Sequence, residues 1–316
     1  MLKHALIGSG ALLLAACGAK ETGEAPNPTP VGPVQESAQL SLPDVFDCAR
    51  ETGGVFIAAH RGGPQTGFPE NTLETLQKSF DEGIRVFEID ISTSADGVLF
   101  LLHDDTLNRT TTGRGAANET PWLTISNLST VDETGRVTRF NPPKLSDVLE
   151  WAVEAGAIVE IDKKRGTDWR DTLDVVRDAN ASNNVILITY DYAEAEAVHR
   201  LAPDLMMTFN IWHREPGGRR LSPNIDRDKV IAWTGTREPT LDVWDDLNRA
   251  GVEVAFGTLG RPGQRLDDEY FADGNPSEYS ELIGDGLVLL ATDRASDVAN
   301  YIDVDDATIE TCLSLN

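Results

Sequence analysis

The strongest constraint on how this chain folds is a rhythm. Nine short apolar runs, at residues 55–59, 86–91, 98–102, 157–161, 185–189, 205–209, 230–233, 252–256 and 287–291, alternate with amphipathic stretches. Runs this short, with little polar alternation, suit strands buried on both faces, which means a parallel sheet with helices packed outside it. Helical signals fall between the runs. Asn71 is placed to cap a segment with Glu74 three residues on, and Leu73, Leu76, Phe80 and Ile84 form its apolar stripe. Strand and helix alternating in this way predict a TIM-type (β/α)8 barrel. A doubly wound sheet is the alternative, but no glycine-rich dinucleotide fingerprint follows the first strand. Nine runs must fill eight places, so either 205–209 or 230–233 is expected to be a strand extension or an irregular loop. Pro, Gly and Asn clusters at 109–144 predict an excursion after the third strand.

The ends of the chain set its compartment. Lys3 and His4 precede an apolar run, 5–14, that is too short to span a bilayer but has the length of a signal-peptide core. It ends in Leu14-Ala15-Ala16-Cys17, which resembles a bacterial lipobox; an ordinary signal peptide cleaved elsewhere is the alternative. The expected organisation is a lipoprotein signal peptide over 1–16, lipidation at Cys17, a flexible tether over 17–45 rich in Pro, Gly, Glu and Thr, and the barrel over 46–316. That places the protein outside the cytoplasm, held on the bacterial cell envelope by its lipid. Gly18 in place of Asp favours the outer membrane. In such an oxidising space Cys48 and Cys312 are a candidate disulfide, against the alternative of two small buried hydrophobes. The formal net charge of −25 argues against a nucleic-acid partner and is compatible with a cation site. Oligomeric state stays open.

Active sites of such barrels gather where strands end. The first run ends in His60-Arg61, the second carries Glu88 and Asp90 on one face, the third ends in His103-Asp104, and the fourth carries Glu160, Asp162 and Lys164 on one face. Buried carboxylates this close repel one another unless protons or a cation neutralise them, and a hard divalent ion with oxygen ligands does so. Two imidazoles can share acid and base roles, while Arg and Lys neutralise an anionic substrate. The combination suits phosphodiester cleavage.

These residues stand in blocks similar to a known family. "HRG" at 60–62, "PENT" at 69–72, "EID" at 88–90, "HDDTLNRTT" at 103–111, "PPKLSDVLEWA" at 142–152 and "GDGLVLLATDRASDVANYI" at 284–302 resemble glycerophosphodiester phosphodiesterases. The resemblance implies a phospholipase-C-like phosphodiesterase barrel that hydrolyses a small glycerophosphodiester to glycerol 3-phosphate and an alcohol. It implies His60 and His103 as the acid/base pair, Arg61 and Lys164 as phosphate contacts, and Glu70 near the site, orienting Arg61 or a substrate hydroxyl. Glu88, Asp90 and Asp162 would be ligands of Ca2+ or Mg2+, with Glu160 assisting from deeper in the barrel. The double glycine at 62–63 is expected to let backbone approach a phosphate. Family members usually carry Trp-Thr on the seventh strand, lining the alcohol pocket; here Phe256-Gly257-Thr258 stands there, and a Trp-Thr pair occurs one segment earlier, at 233–234. Two other readings are a sphingomyelinase D-like phosphodiesterase that releases a cyclic phosphate, and a non-catalytic surface lipoprotein on a decayed barrel.

Overall fold

A computed structural model describes residues 41–210, 224–302 and 311–313. The signal segment 1–16, Cys17 and the tether up to residue 40 lie outside the described residues. Nine strands form one sheet: β1 (Phe56–Ala59), β2 (Val86–Thr93), β3 (Leu99–Leu101), β4 (Ile158–Lys163), β5 (Val185–Thr189), β6 (Met206–Asn210), β7 (Val230–Trp233), β8 (Glu253–Gly257) and β9 (Leu289–Thr292). Their order is β1-β9-β8-β7-β6-β5-β4-β2-β3, and β1 also pairs with β2. That extra pairing closes eight parallel strands into the expected (β/α)8 barrel.

The surplus run is not the one anticipated. Both 205–209 and 230–233 are staves of the barrel, paired in parallel with each other. The odd strand is β3, which folds back antiparallel on the end of β2, with Ser92 opposite Phe100. Gly97 in the tight turn between them has φ +84°, a conformation that glycine adopts without the steric cost of a Cβ. The excursion therefore leaves β2, the second stave, and returns at the helix Leu145–Ala155. It holds a small core of its own, in which Phe100, Leu102, Leu107, Ala117 and Ile125 pack together.

Strand parity divides the apolar residues into two sets. Outward residues such as Ile57, Phe87, Ile89, Val159, Leu187 and Phe256 pack against the helical layer, including Leu76, Leu149, Leu173 and Trp244. Inward residues at the strand starts, among them Phe56, Val86, Ile158, Ile186, Met206 and Leu289, form a separate cluster that fills the bottom of the barrel. The helix Leu42–Thr52 closes that end with Leu42, Val45, Phe46 and Ala49. Residues 42–45, assigned from the sequence to the tether, are thus already helical, because their apolar side chains complete the barrel floor. Arg50 of this helix pairs with Glu253 at the start of β8 (Nε to Oε1, 3.1 Å), although burial still pushes the Glu253 carboxyl up to about 7. Cys48 on the same helix is disulfide-bonded to Cys312 across a separation of 264 residues. A cross-link over so long a loop restricts the unfolded chain and typically contributes about 2–5 kcal/mol.

Further along β2, β4 and β6 the inward residues become polar, and His60 and Asp293 follow the ends of β1 and β9, so most of the charge lies at the mouth.

Candidate active site

The first stave stops abruptly. After Ala59 the chain enters a tight turn, His60–Gly62, with Arg61 at φ +53°, followed by Gly62 and Gly63 at +83° and +79°. The glycines serve packing: a Cβ at Gly62 would lie 2.5 Å from Leu76 Cδ1, and one at Gly63 would lie 2.7 Å from Ser79 Oγ. They let the helix Leu73–Asp81 lie directly under the turn. That helix is capped by Thr72, whose hydroxyl accepts from the Thr75 N–H, and not by Asn71. Asn71, buried and at φ +57°, turns into the barrel: its Nδ2 donates to Asp90 Oδ2 (2.6 Å) and its Oδ1 accepts from the Asp90 N–H (2.9 Å).

Glu88, Asp90 and Asp162 meet at the mouth, each offering one oxygen within 4.8 Å of the others, and all three are buried. Burial, reinforced by Asp90 and Asp162, pushes the Glu88 carboxyl well above the usual carboxylate range. Burial acts the same way on Asp90, but Lys164, His103 and Arg61 outweigh it and hold that carboxyl low. The Lys164 ammonium stands 2.5 Å from Asp90 Oδ1 and 2.6 Å from Asp162 Oδ2. The Tyr190 hydroxyl donates to Asp162 Oδ2 at 2.7 Å. Asp162 Oδ1 is buried without a partner. Three hard oxygen donors, one of them unsatisfied, fit a hard divalent cation. Lys163 faces away, over the Trp169 ring, so Lys164 is the lysine of the site.

Glu160 stands outside this group. Register pairs Glu88 with Glu160 and Asp90 with Asp162, so both glutamates start one pleat deeper than the aspartates. Glu88 reaches up because the Arg61 N–H donates to its Oε2 at 2.7 Å. Among the described residues Glu160 has no such donor, and it lines the cavity instead, where burial pushes its carboxyl up to about 8.

Two arginines share Glu70. Arg61 Nη1 donates to both its oxygens (3.1 and 3.2 Å), and Arg109 approaches it with two nitrogens (2.7 and 2.9 Å). Arg109 also forks onto Asp104, and Asp104 Oδ1 lies 2.8 Å from His103 Nδ1. His103 thus enters from the loop after antiparallel β3, and not from the end of a barrel stave. His60 Nδ1 lies 2.6 Å from Asp293 Oδ1, with Nε2 3.9 Å from Glu88 Oε2. Asp293 is itself fixed: Oδ2 accepts from the Gly260 N–H and pairs with Arg265 at 2.9 Å. Its own N–H donates to buried Asp267, which also accepts from Tyr279 and Thr292. Arg109 and Asp293 escaped the reading of the sequence. Parity could have found Asp293, which continues the inward face of Ala291.

Residues 60–233 match the Glycerophosphoryl diester phosphodiesterase family. The chain is 30% identical over 155 residues to the uncharacterized protein YqiK of Bacillus subtilis, covering 47% of this chain and 63% of that one. It is 26% identical over 157 residues to a glycerophosphodiester phosphodiesterase of Caldanaerobacter subterraneus, covering 48% and 64%. Both alignments therefore span a little under two thirds of the relative. A crystal structure of a glycerophosphoryl diester phosphodiesterase from Parabacteroides distasonis superposes with a TM-score of 0.70 at 25% identity, covering 83% of this chain and 92% of that one.

Asn71 answers both the backbone and the side chain of one buried carboxylate. Asn71→Ala leaves these groups unmet and is expected to cost about 1–3 kcal/mol, read by chemical denaturation; an unchanged midpoint would contradict this role.

Proposed function

This chain belongs to the Glycerophosphoryl diester phosphodiesterase family, and we propose that it is a divalent-metal-dependent hydrolase that splits glycerophosphodiesters into glycerol 3-phosphate and an alcohol. The observation that carries this reading is that both mouth histidines are tied through Nδ1 to a carboxylate, His60 to Asp293 and His103 to Asp104. With Nδ1 occupied, each imidazole presents Nε2 for proton transfer. One takes a proton from the attacking oxygen and the other returns one to the departing alcohol oxygen.

Arg61 and Lys164 supply the charge that a phosphodiester needs. Arg61 is gripped by Glu70 and holds a buried Nε that makes no hydrogen bond, 3.7 Å from Asp90 Oδ2, and Lys164 sits between two carboxylates at the same mouth. Such fixed cations favour an anion whose charge grows toward the transition state. Glu88, Asp90 and Asp162 would hold Ca2+ or Mg2+, both of which prefer oxygen ligands. When bound, the cation supplies Lewis-acid polarisation of a phosphoryl oxygen. Asp293 and Asp104 act as positioning residues, holding ring orientation and tautomer.

The same reading includes export and anchoring to the envelope membrane through Cys17. The lipobox-like 14–17 segment supports it, as does a disulfide of the kind that persists in oxidising compartments. Cys17→Ser is expected to abolish palmitate labelling in cells and move the protein from the detergent phase to the aqueous phase; a labelled variant would refute the anchor.

Turnover of glycerophosphocholine, followed by phosphorus NMR, tests the activity. Glycerol 3-phosphate should accumulate, stop with EDTA and resume with added Ca2+ or Mg2+. His60→Ala and His103→Ala should each lower kcat by about 10²–10⁴ with the fold intact. EDTA-resistant turnover, a stable cyclic phosphate product or an active histidine variant would each contradict the proposal.

A further inference from the structure

The two mouth histidines are held in different ways. His60 leans on Asp293, and Asp293 is tied to the barrel: the Gly260 N–H and Arg265 answer its carboxylate, and Asp267 accepts from its N–H. His103 is held less directly. Its partner Asp104 is the next residue in the chain, and both stand on the excursion after β3, which packs around a small core of its own. A contact between neighbours in sequence can turn a ring on its own loop, but it cannot fix that ring against the barrel. Backbone contacts do join the two parts nearby, where the Leu102 N–H donates to the Asp90 carbonyl (3.0 Å) and the Gly67 N–H to Asp132 Oδ2 (2.9 Å). Neither of them reaches the imidazole.

Arg109 does reach its partner. The guanidinium meets Asp104 with Nε and Nη2, both at 2.8 Å, and Glu70 with Nη1 and Nη2, at 2.7 and 2.9 Å. Asp104 belongs to the excursion. Glu70 belongs to the loop that leads from the first stave to its helix, and it also grips Arg61. One planar cation therefore spans the seam between excursion and barrel, in an unbroken line from His103 through Asp104, Arg109 and Glu70 to Arg61. Hydrogen bonds from Arg109 hold the Asp104 carboxyl well below the usual carboxylate range, so an anion faces His103 Nδ1. A lysine would carry the same charge at a single point and could not fork onto two carboxylates at once.

We propose that Arg109 is a positioning residue that sets the orientation of the His103 imidazole relative to Arg61, by locking Asp104 of the excursion to Glu70 of the barrel. The kinetic consequence rests on the hydrolase reading above. The effect on the ring does not.

The test reads the ring itself, by nitrogen-15 NMR of the histidine-labelled full-length protein at a pH where both mouth imidazoles are neutral. Loss of signals in His103→Gln assigns His103, and His60 serves as the internal control. In the unaltered protein His103 should carry its proton on Nδ1, toward Asp104. In Arg109→Lys its two nitrogen signals should shift toward the averaged positions of exchanging tautomers, while those of His60 stay in place. Glu70→Gln should give the same shift, although no hydrogen bond or ion pair joins Glu70 to His103 or Asp104 among the described residues. Added to Arg109→Lys, it should move His103 no further, because both changes cut one line. In turnover of glycerophosphocholine, Arg109→Lys should lower kcat by about 10²-fold with KM little changed. Its denaturation midpoint should stay in place, since a half-exposed ion pair adds little stability. Unmoved His103 signals in Arg109→Lys or in Glu70→Gln overturn the proposal, and a kcat loss with His103 unmoved would assign Arg109 to the substrate instead. If the unaltered protein turns over no glycerophosphodiester, a His103 shift in both variants upholds the positioning role and overturns the hydrolase reading.

Discussion

Three buried carboxylates crowded into one barrel mouth are the constraint around which the rest of this structure is arranged. Left to themselves, Glu88, Asp90 and Asp162 would repel one another and take up protons, as the raised Glu88 carboxyl already records. The structure counters this with donors and cations from separate elements: Asn71 before the first barrel helix, the Arg61 backbone after the first stave, Lys164 after β4 and Tyr190 after β5. None of these is adjustable alone. The turn that aims the Arg61 N–H exists only because Gly62 and Gly63 admit Leu76 and Ser79. Cation binding, if it neutralises the cluster, also releases part of the repulsion that these partners restrain.

The two ends of the barrel divide the labour. The floor is an apolar plug in which the helix Leu42–Thr52 packs on the strand starts, and the disulfide to Cys312 fastens it. Stability concentrated there lets the mouth hold groups that cost folding energy, including Glu160 and the Asp162 Oδ1 oxygen, which are buried without a hydrogen-bond partner among the described residues. Inward parity joins the two, since the inward face of β2 and of β4 begins apolar, at Val86 and Ile158, and ends charged, at Asp90 and Asp162.

Much of this was legible in the chain itself. Short, unbroken apolar runs declare a parallel sheet, and paired carboxylates at alternate positions declare which face is inward, so the barrel and the acidic group follow from period alone. What period cannot convey is direction. β3 is as apolar as any stave, and only the tight turn at Gly97 sends it back antiparallel. Asn71 sits where a cap belongs, yet Thr72 next to it takes that role and frees Asn71 for Asp90. Glu160 and Glu88 share one pleat level, and a single backbone donor separates an upward-reaching side chain from one that faces the cavity. Asp293 and Arg109 belong to the site through contacts between segments far apart in sequence. Such pairings arise only once the barrel closes.

The most direct test of the central claim is calorimetric titration of Ca2+ and Mg2+ into the metal-stripped protein and its Asp162→Asn variant. One ion should bind per chain, with release of protons on binding near neutral pH, and affinity should collapse in the variant. Absence of binding to the unaltered protein, or equal binding by the variant, would contradict a cation held by these three carboxylates.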